Sequence, residues 1–161
     1  AMNLALITVI GQCVGAGDYK QAEYYAKKLM KLTYLINGVC CMTVIATMPL
    51  TLKLYGLSEE TLVLAATLVL IHNGFAVLLW PASFTLTSVL RAANDVKYTM
   101  CISMLSMILV RLGFWYMLCV GQGWGALGVW AATILDWTVR VICFVRRYRS
   151  GKWKQYYRAD A

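Results

Sequence analysis

The sequence predicts an all-α fold: a polytopic bundle of transmembrane helices, with about four complete spans and the end of a fifth. Hydrophobic residues make up 61% of the 161 residues and charged residues only 14%, a balance that soluble domains do not show. Two stretches, residues 32–52 and 61–90, contain no Lys, Arg, Asp or Glu. Each is longer than the roughly 20 residues that a helix needs to cross a bilayer core. We therefore expect residues 1–161 to form a single transmembrane domain.

Basic residues cluster where these spans end. Of the 15 Lys and Arg, 12 fall within residues 20–31, 91–97 and 146–158. An excess of basic residues is typical of cytoplasmic loops, so we expect residues 14–31, residues 91–97 and the basic tail 146–161 in the cytoplasm. The protein is predicted to be a multi-pass protein of the cell inner (plasma) membrane. Its expected partner is the lipid bilayer and not nucleic acid, because the net charge of +8 is not carried by a polar folded surface.

The first element predicted is the end of a truncated span, residues 1–12, which are apolar and lack an initiator Met. The glycine-rich stretch that follows, residues 11–18, does not fit a phosphate-binding loop, because no strand precedes it and the Lys-Ser/Thr ending is absent. Glycines here favour a helix end and close packing. The polar residues 19–31 are predicted to form an amphipathic segment at the inner membrane interface.

Two complete spans follow, over residues 32–52 and 61–90. The second has 30 residues, about 45 Å of helix against a core of about 30 Å, so it must tilt, bend or protrude. Pro81 removes one backbone hydrogen bond, and the pair Asn73-Gly74 is a second expected weak point. Polar side chains near these points are candidates for lining a cavity: His72, Asn73, Ser83 and Thr87.

His72 is the only histidine, which argues against a metal site. It is either a pathway or proton-carrying group or a hydrogen-bonded contact between helices. The six cysteines lie mostly within spans and lack the paired spacing of a zinc site, so we expect them to pack as small hydrophobic residues. No cofactor is expected.

The last two spans are predicted over residues 98–120 and 125–145, and both contain charged residues. Arg111 lies about 20 Å from the cytoplasmic end, where it either snorkels outward or finds an inward-facing partner. Asp136 and Arg140 lie one helical turn apart on a small, polar face, which we expect to point inward. The opposite face is bulky and is expected to contact lipid; its members are Trp130, Ile134, Trp137, Val141 and Phe144.

Two hypotheses follow for Asp136. It either takes part in ion or substrate coupling, or it forms a structural pair with Arg140, with Arg111 as a further partner across the helices. Opposite charges one turn apart stabilise each other's ionised forms, which suits a proton carrier poorly. The spacing therefore favours the structural pair.

Several motifs occur in a recognisable order. They are Gly11-Gln-Cys-Val-Gly-Ala-Gly-Asp18, Leu90-Arg-Ala-Ala-Asn-Asp95, Gly128-Val-Trp130, Asp136-Trp137 with Arg140, and Arg149-Ser-Gly-Lys-Trp153. Together they resemble the carboxyl-terminal half of a multidrug and toxic compound extrusion (MATE) transporter, over roughly residues 11–153.

The resemblance implies a secondary active transporter with twelve helices in two lobes, of which this chain would hold the end of helix eight and helices nine to twelve. Such proteins export small cationic or amphipathic compounds in exchange for H+ or Na+ through alternating access. The implied partners are the amino-terminal lobe, the substrate and the coupling ion. Several sodium-coupled relatives carry a carboxylate in helix ten, whereas residues 61–90 contain none, so the coupling ion stays open.

Three other functions are alternatives to an efflux transporter. A lipid-linked oligosaccharide flippase of the same superfamily would need several cavity arginines and additional helices. A non-transporting membrane subunit is a further alternative. An integral-membrane enzyme is disfavoured, because it would need His, Asp or Ser clustered at one depth, and the sequence offers one His and one deep acid.

Overall fold

The computed structural model describes residues 2–56 and 58–154, and this part of the chain is built of helices without strands. The helices are α1 (Met2–Gly15), α2 (Tyr19–Leu54), α3 (Glu59–Ala92), α4 (Val96–Gly121) and α5 (Gly125–Arg149), followed by one 3₁₀ turn (Lys152–Lys154). The helices α2 to α5 are each long and apolar enough to cross a membrane. The predicted all-α transmembrane bundle is confirmed.

Helix α2 joins the polar stretch 19–31 to the apolar run that follows, in one helix of 36 residues. The side chain of Asp18 caps its start by accepting a hydrogen bond from the backbone N–H of Gln21 at 3.0 Å. No Gly or Pro occurs between Tyr19 and Gly38, so no helix-breaking residue separates the polar stretch from the apolar run. At about 54 Å it is longer than a bilayer core of about 30 Å. The expected interfacial segment is therefore the first part of α2 and not a separate element.

Two helices widen into π-helical turns. In α3 the widened turn is Pro81–Thr85, and in α4 there are two, Ser106–Leu112 and Tyr116–Gly121. Proline has no backbone N–H, so the irregularity expected at Pro81 takes the form of a wider turn. The expected weak point at Asn73 and Gly74, in contrast, stays α-helical.

The corners between α1 and α2 and between α3 and α4 share one geometry. Gly17 and Asn94 each take a positive φ, at 75° and 66°. The backbone N–H of the next residue, Asp18 or Asp95, donates to the carbonyl five residues earlier, at 3.0 Å in both corners. This is the Schellman arrangement, in which a left-handed residue ends a helix. Each aspartate then begins the following helix.

Alanine substitutions at Gly17, in the α1–α2 corner, and at Gly11, within α1, should have opposite effects on the free energy of unfolding. Gly17→Ala should lower the free energy of unfolding by about 1 kcal/mol, because alanine resists the left-handed conformation. Gly11→Ala should raise it by about 0.5–1 kcal/mol, because Gly11 is helical and a Cβ there meets nothing within 4 Å. Unfolding titrations of the purified protein in mixed detergent micelles measure both. If both variants changed the free energy of unfolding in the same direction, the left-handed conformation given to Gly17 would be contradicted.

The main apolar core lies at the end of the bundle where these corners meet. It combines α1, the start of α2, the end of α3 and the end of α5. Its buried members are Leu6, Ile10, Val14, Ala22, Ala26, Leu86, Val89, Leu90, Ala93, Phe144 and Trp153.

The bulky face of α5 was predicted to contact lipid, and for two of its residues this is wrong. Phe144 is fully buried in the main core, and Trp137 is 7% exposed. The ring of Trp137 lies 5.5 Å from that of His72 and 6.3 Å from that of Phe84, both on α3. A large apolar side chain suits lipid and a helix interface equally well. Its size therefore does not predict whether it contacts lipid or another helix.

Candidate functional site

Asp136 and Arg140 form an ion pair on α5. The Nε of Arg140 donates to Oδ1 of Asp136 at 3.1 Å, and the two side chains are 13% and 1% exposed. The helical spacing of four residues places the two groups side by side. The inward orientation expected for Asp136 is what the structure shows.

Helix α4 supplies the other partners of this pair. The hydroxyl of Ser106 donates a hydrogen bond to Oδ1 of Asp136. The Nη2 of Arg140 donates to the carbonyl oxygen of Ser103 at 3.2 Å. On the α3 side, the guanidinium carbon of Arg140 lies 6.0 Å from the centre of the Phe84 ring, within the range of a cation–π contact. The charged groups therefore connect three helices.

Both neighbouring helices are widened at this level. Ser106 begins a π-helical turn of α4, and Phe84 lies within the π-helical turn of α3. Such turns are rare, and they occur frequently at functional sites. The charge network (Asp136, Arg140, Ser103 and Ser106) is the candidate site for this reason.

Arg111 does not join the charge network. Its side chain is exposed and lines a cavity of about 240 Å³ with Leu112, Trp115 and Val129. Within residues 2–56 and 58–154 it makes no ion pair. The contact between Arg111 and Asp136 that the sequence offers as one possibility is therefore not formed in the described part of the chain.

His72 packs between two tryptophans of α5. Its ring centre lies 4.5 Å from that of Trp130 and 5.5 Å from that of Trp137. Its buried Nδ1 has no hydrogen-bond partner among the described residues. This is an aromatic contact between helices, with one polar atom left unpaired.

The other polar residues predicted to line a cavity are mostly satisfied within α3. The amide of Asn73 donates to the carbonyl of Val69 at 2.8 Å, and the hydroxyl of Thr87 donates to the carbonyl of Ser83 at 2.6 Å. Ser83 is 1% exposed, and its own hydroxyl has no partner in the described part of the chain. Residues 72 to 87 extend over about 22 Å of helix, so these side chains do not share one depth.

A second buried ion pair, between Asp95 and Arg147, is not predicted by the sequence pattern. Asp95 accepts from Nε of Arg147 at 2.7 Å and from Nη2 at 3.2 Å, a bidentate arrangement. The guanidinium carbon also lies 4.6 Å from the ring centre of Tyr98. Asp95 occupies the N-cap position of α4, but its side chain does not cap the helix, because its carboxylate binds Arg147. No local pattern signals a contact between residues 52 positions apart.

The end of the described chain folds back on the same corners. The ring of Trp153 stacks on Tyr148, with centres 5.6 Å apart, and meets the edge of Tyr19 at 6.1 Å. Its indole N–H donates to the carbonyl of Tyr148 at 3.0 Å. Lys154 forms an ion pair with Glu23 at the start of α2. Helix α5 is thus tied to both corners by charged and aromatic contacts.

Comparisons with known proteins place the chain in a family. The MatE family model matches residues 1–117. A relative in Bacillus subtilis (strain 168), named "Uncharacterized transporter YisQ", is 31% identical over 149 residues, which are 91% of this chain and 32% of that protein. The chain thus spans about a third of the length of this relative. No solved structure matches. With four membrane-length helices in its described part, the chain is a multi-pass membrane protein that belongs to the MatE family.

Proposed function

We propose that this chain forms part of a secondary active efflux transporter, which exports cationic or amphipathic compounds by antiport with H+ or Na+. The match of the MatE family model over residues 1–117 is the observation that carries this proposal. The relative named as a transporter supports it. In this proposal the substrate pathway lies between this chain and the amino-terminal lobe, so both lobes are needed for transport.

The two buried ion pairs fit the mechanical demands of alternating access, in which parts of the protein rock as rigid bodies around a central site. The charge network joins α4 to α5, and the pair of Asp95 with Arg147 joins the α3–α4 corner to α5. We infer that α3, α4 and α5 move together. Substrate and coupling ion then shift the equilibrium only by their different affinities for the two orientations.

For Asp136 we propose a structural role and not a coupling role. Its Oδ1 already accepts from Ser106 and Arg140, and both donors belong to the packed helix interface. A transported ion would have to displace these contacts in every cycle. The family's coupling chemistry is then carried by residues outside this network.

Transport of a cationic dye tests the proposed function. The intact protein should be produced in cells without endogenous efflux pumps, and inverted vesicles should be given an imposed H+ or Na+ gradient. We expect dye accumulation that collapses when an ionophore removes one of the two gradients, which also identifies the coupling ion. Vesicles that contain only residues 1–161 should accumulate none. Dye accumulation by the intact protein that is indifferent to both gradients would contradict antiport.

The proposed orientation can be tested with single cysteines in a background without the six native ones. Ser58→Cys and Gln122→Cys should react with a membrane-impermeant maleimide in intact cells. Ser150→Cys should react only after permeabilisation. All three positions are exposed in the structure, so protection reports the side of the membrane and not burial within the protein. Labelling of Ser150→Cys from outside would reverse the proposed topology.

A further inference from the structure

A cavity of about 590 Å³ lies between α2, α3 and α5. Part of its lining is basic: Lys27 and Lys31 from α2, and Arg149 from the end of α5. Another part is apolar and includes Met30, Leu86 and Val145. An amphipathic ligand with a negatively charged group matches these two parts of the lining.

The charges of the lining do not cancel. Lys27, Lys31 and Arg149 are exposed, and within residues 2–56 and 58–154 none of them forms an ion pair. Glu23 is the acid of the lining, and it is neutralised by Lys154. Three cations therefore face the cavity without a counter-charge from the described chain.

The charge pattern of the sequence predicts that the cavity lies at the depth of a lipid headgroup. Lys31 is the last charged residue before the charge-free run 32–52, and Arg149 ends the last spanning helix. Leu86 belongs to the charge-free run of α3. The basic residues therefore lie at the predicted boundary between membrane and water, and part of the apolar wall lies on the membrane side.

We propose that this cavity binds one anionic phospholipid of the surrounding bilayer. The phosphate contacts Lys27, Lys31 and Arg149, and an acyl chain covers the apolar wall. Basic pockets between transmembrane helices are suited to such headgroups. A cationic substrate would be repelled here, and free phosphate would leave the apolar wall uncovered.

Lipid retention by the intact protein tests this site. The protein is purified in detergent with phosphatidylglycerol or phosphatidylcholine, and bound lipid is counted by native mass spectrometry over a range of lipid concentrations. The test variant combines Lys27→Gln, Lys31→Gln and Arg149→Gln. The matched control combines Lys20→Gln, Lys28→Gln and Arg146→Gln, which removes the same charge from the same end of the bundle but outside the cavity lining.

We expect one tightly held phosphatidylglycerol per protein, and about 100-fold weaker binding by the test variant, because each basic residue near an anionic lipid contributes about a factor of five. The control should bind like the unmodified protein. Three results would overturn the proposal: equal retention of the two lipids by the unmodified protein, equal weakening in both variants, or displacement of the lipid by millimolar inorganic phosphate. The first result needs no variant, so a misfolded variant does not prevent a decision.

Discussion

Asp136→Asn is expected to destabilise the folded protein by about 3–5 kcal/mol, because it leaves the guanidinium of Arg140 buried beside a neutral amide. The amide keeps the size of the carboxylate, so the loss measures the missing charge and not a cavity. Unfolding titrations in mixed micelles and the yield of folded protein give the size of the effect. Glu60→Gln, at an exposed acid of α3, is the control and should change stability by less than about 0.5 kcal/mol.

The double variant Asp136→Asn with Arg140→Gln separates the two roles considered for Asp136. If the pair is structural, removing both charges should recover at least about 2 kcal/mol of the loss, because no unpaired buried charge remains. This variant should also keep proton- or sodium-driven dye transport. A stable double variant that no longer couples transport to the gradient would assign Asp136 to coupling instead.

The sequence predicted this pair because the contact is local. Residues four positions apart are neighbours on any α-helix, so the formation of α5 is enough to place Asp136 beside Arg140. Their partners Ser103 and Ser106 depend on how α4 packs beside α5, which no local pattern contains. The sequence also contains no pattern that predicts the π-helical turn of α4 at Ser106. The irregular turn in α3 was predictable, because Pro81 lacks a backbone N–H.

The fold class was predictable for a similar reason, since span length and hydrophobicity are local properties. Which face of each helix meets protein is not local. Trp137 and Phe144 were assigned to lipid on size, yet α3 and the main core cover them. In a membrane, an apolar side chain gains little free energy by contacting protein instead of lipid. Hydrophobicity is therefore a weak predictor of which helix face contacts protein.

The pair of Asp95 with Arg147 should be as important for stability as the charge network. Asp95→Ala is expected to cost about 3–5 kcal/mol, because the carboxylate is buried and takes both hydrogen bonds of a bidentate contact. Arg147→Ala should cost a similar amount. In the double variant the losses should not add, and an interaction free energy of about 2–3 kcal/mol should appear in unfolding titrations.

Asp18 provides the matched control, because it occupies the equivalent position in the α1–α2 corner. Among residues 2–56 and 58–154, its carboxylate caps α2 through the backbone N–H of Gln21 and forms no ion pair, so Asp18→Ala should cost about 1 kcal/mol. The backbone geometry of the two corners is the same, and a difference between the variants therefore measures what Arg147 adds. Equal losses at Asp18 and Asp95 would mean that the corner, and not the ion pair, holds α5 against α3 and α4. A larger loss at Asp95 would mean that the ion pair holds α5 against the α3–α4 corner.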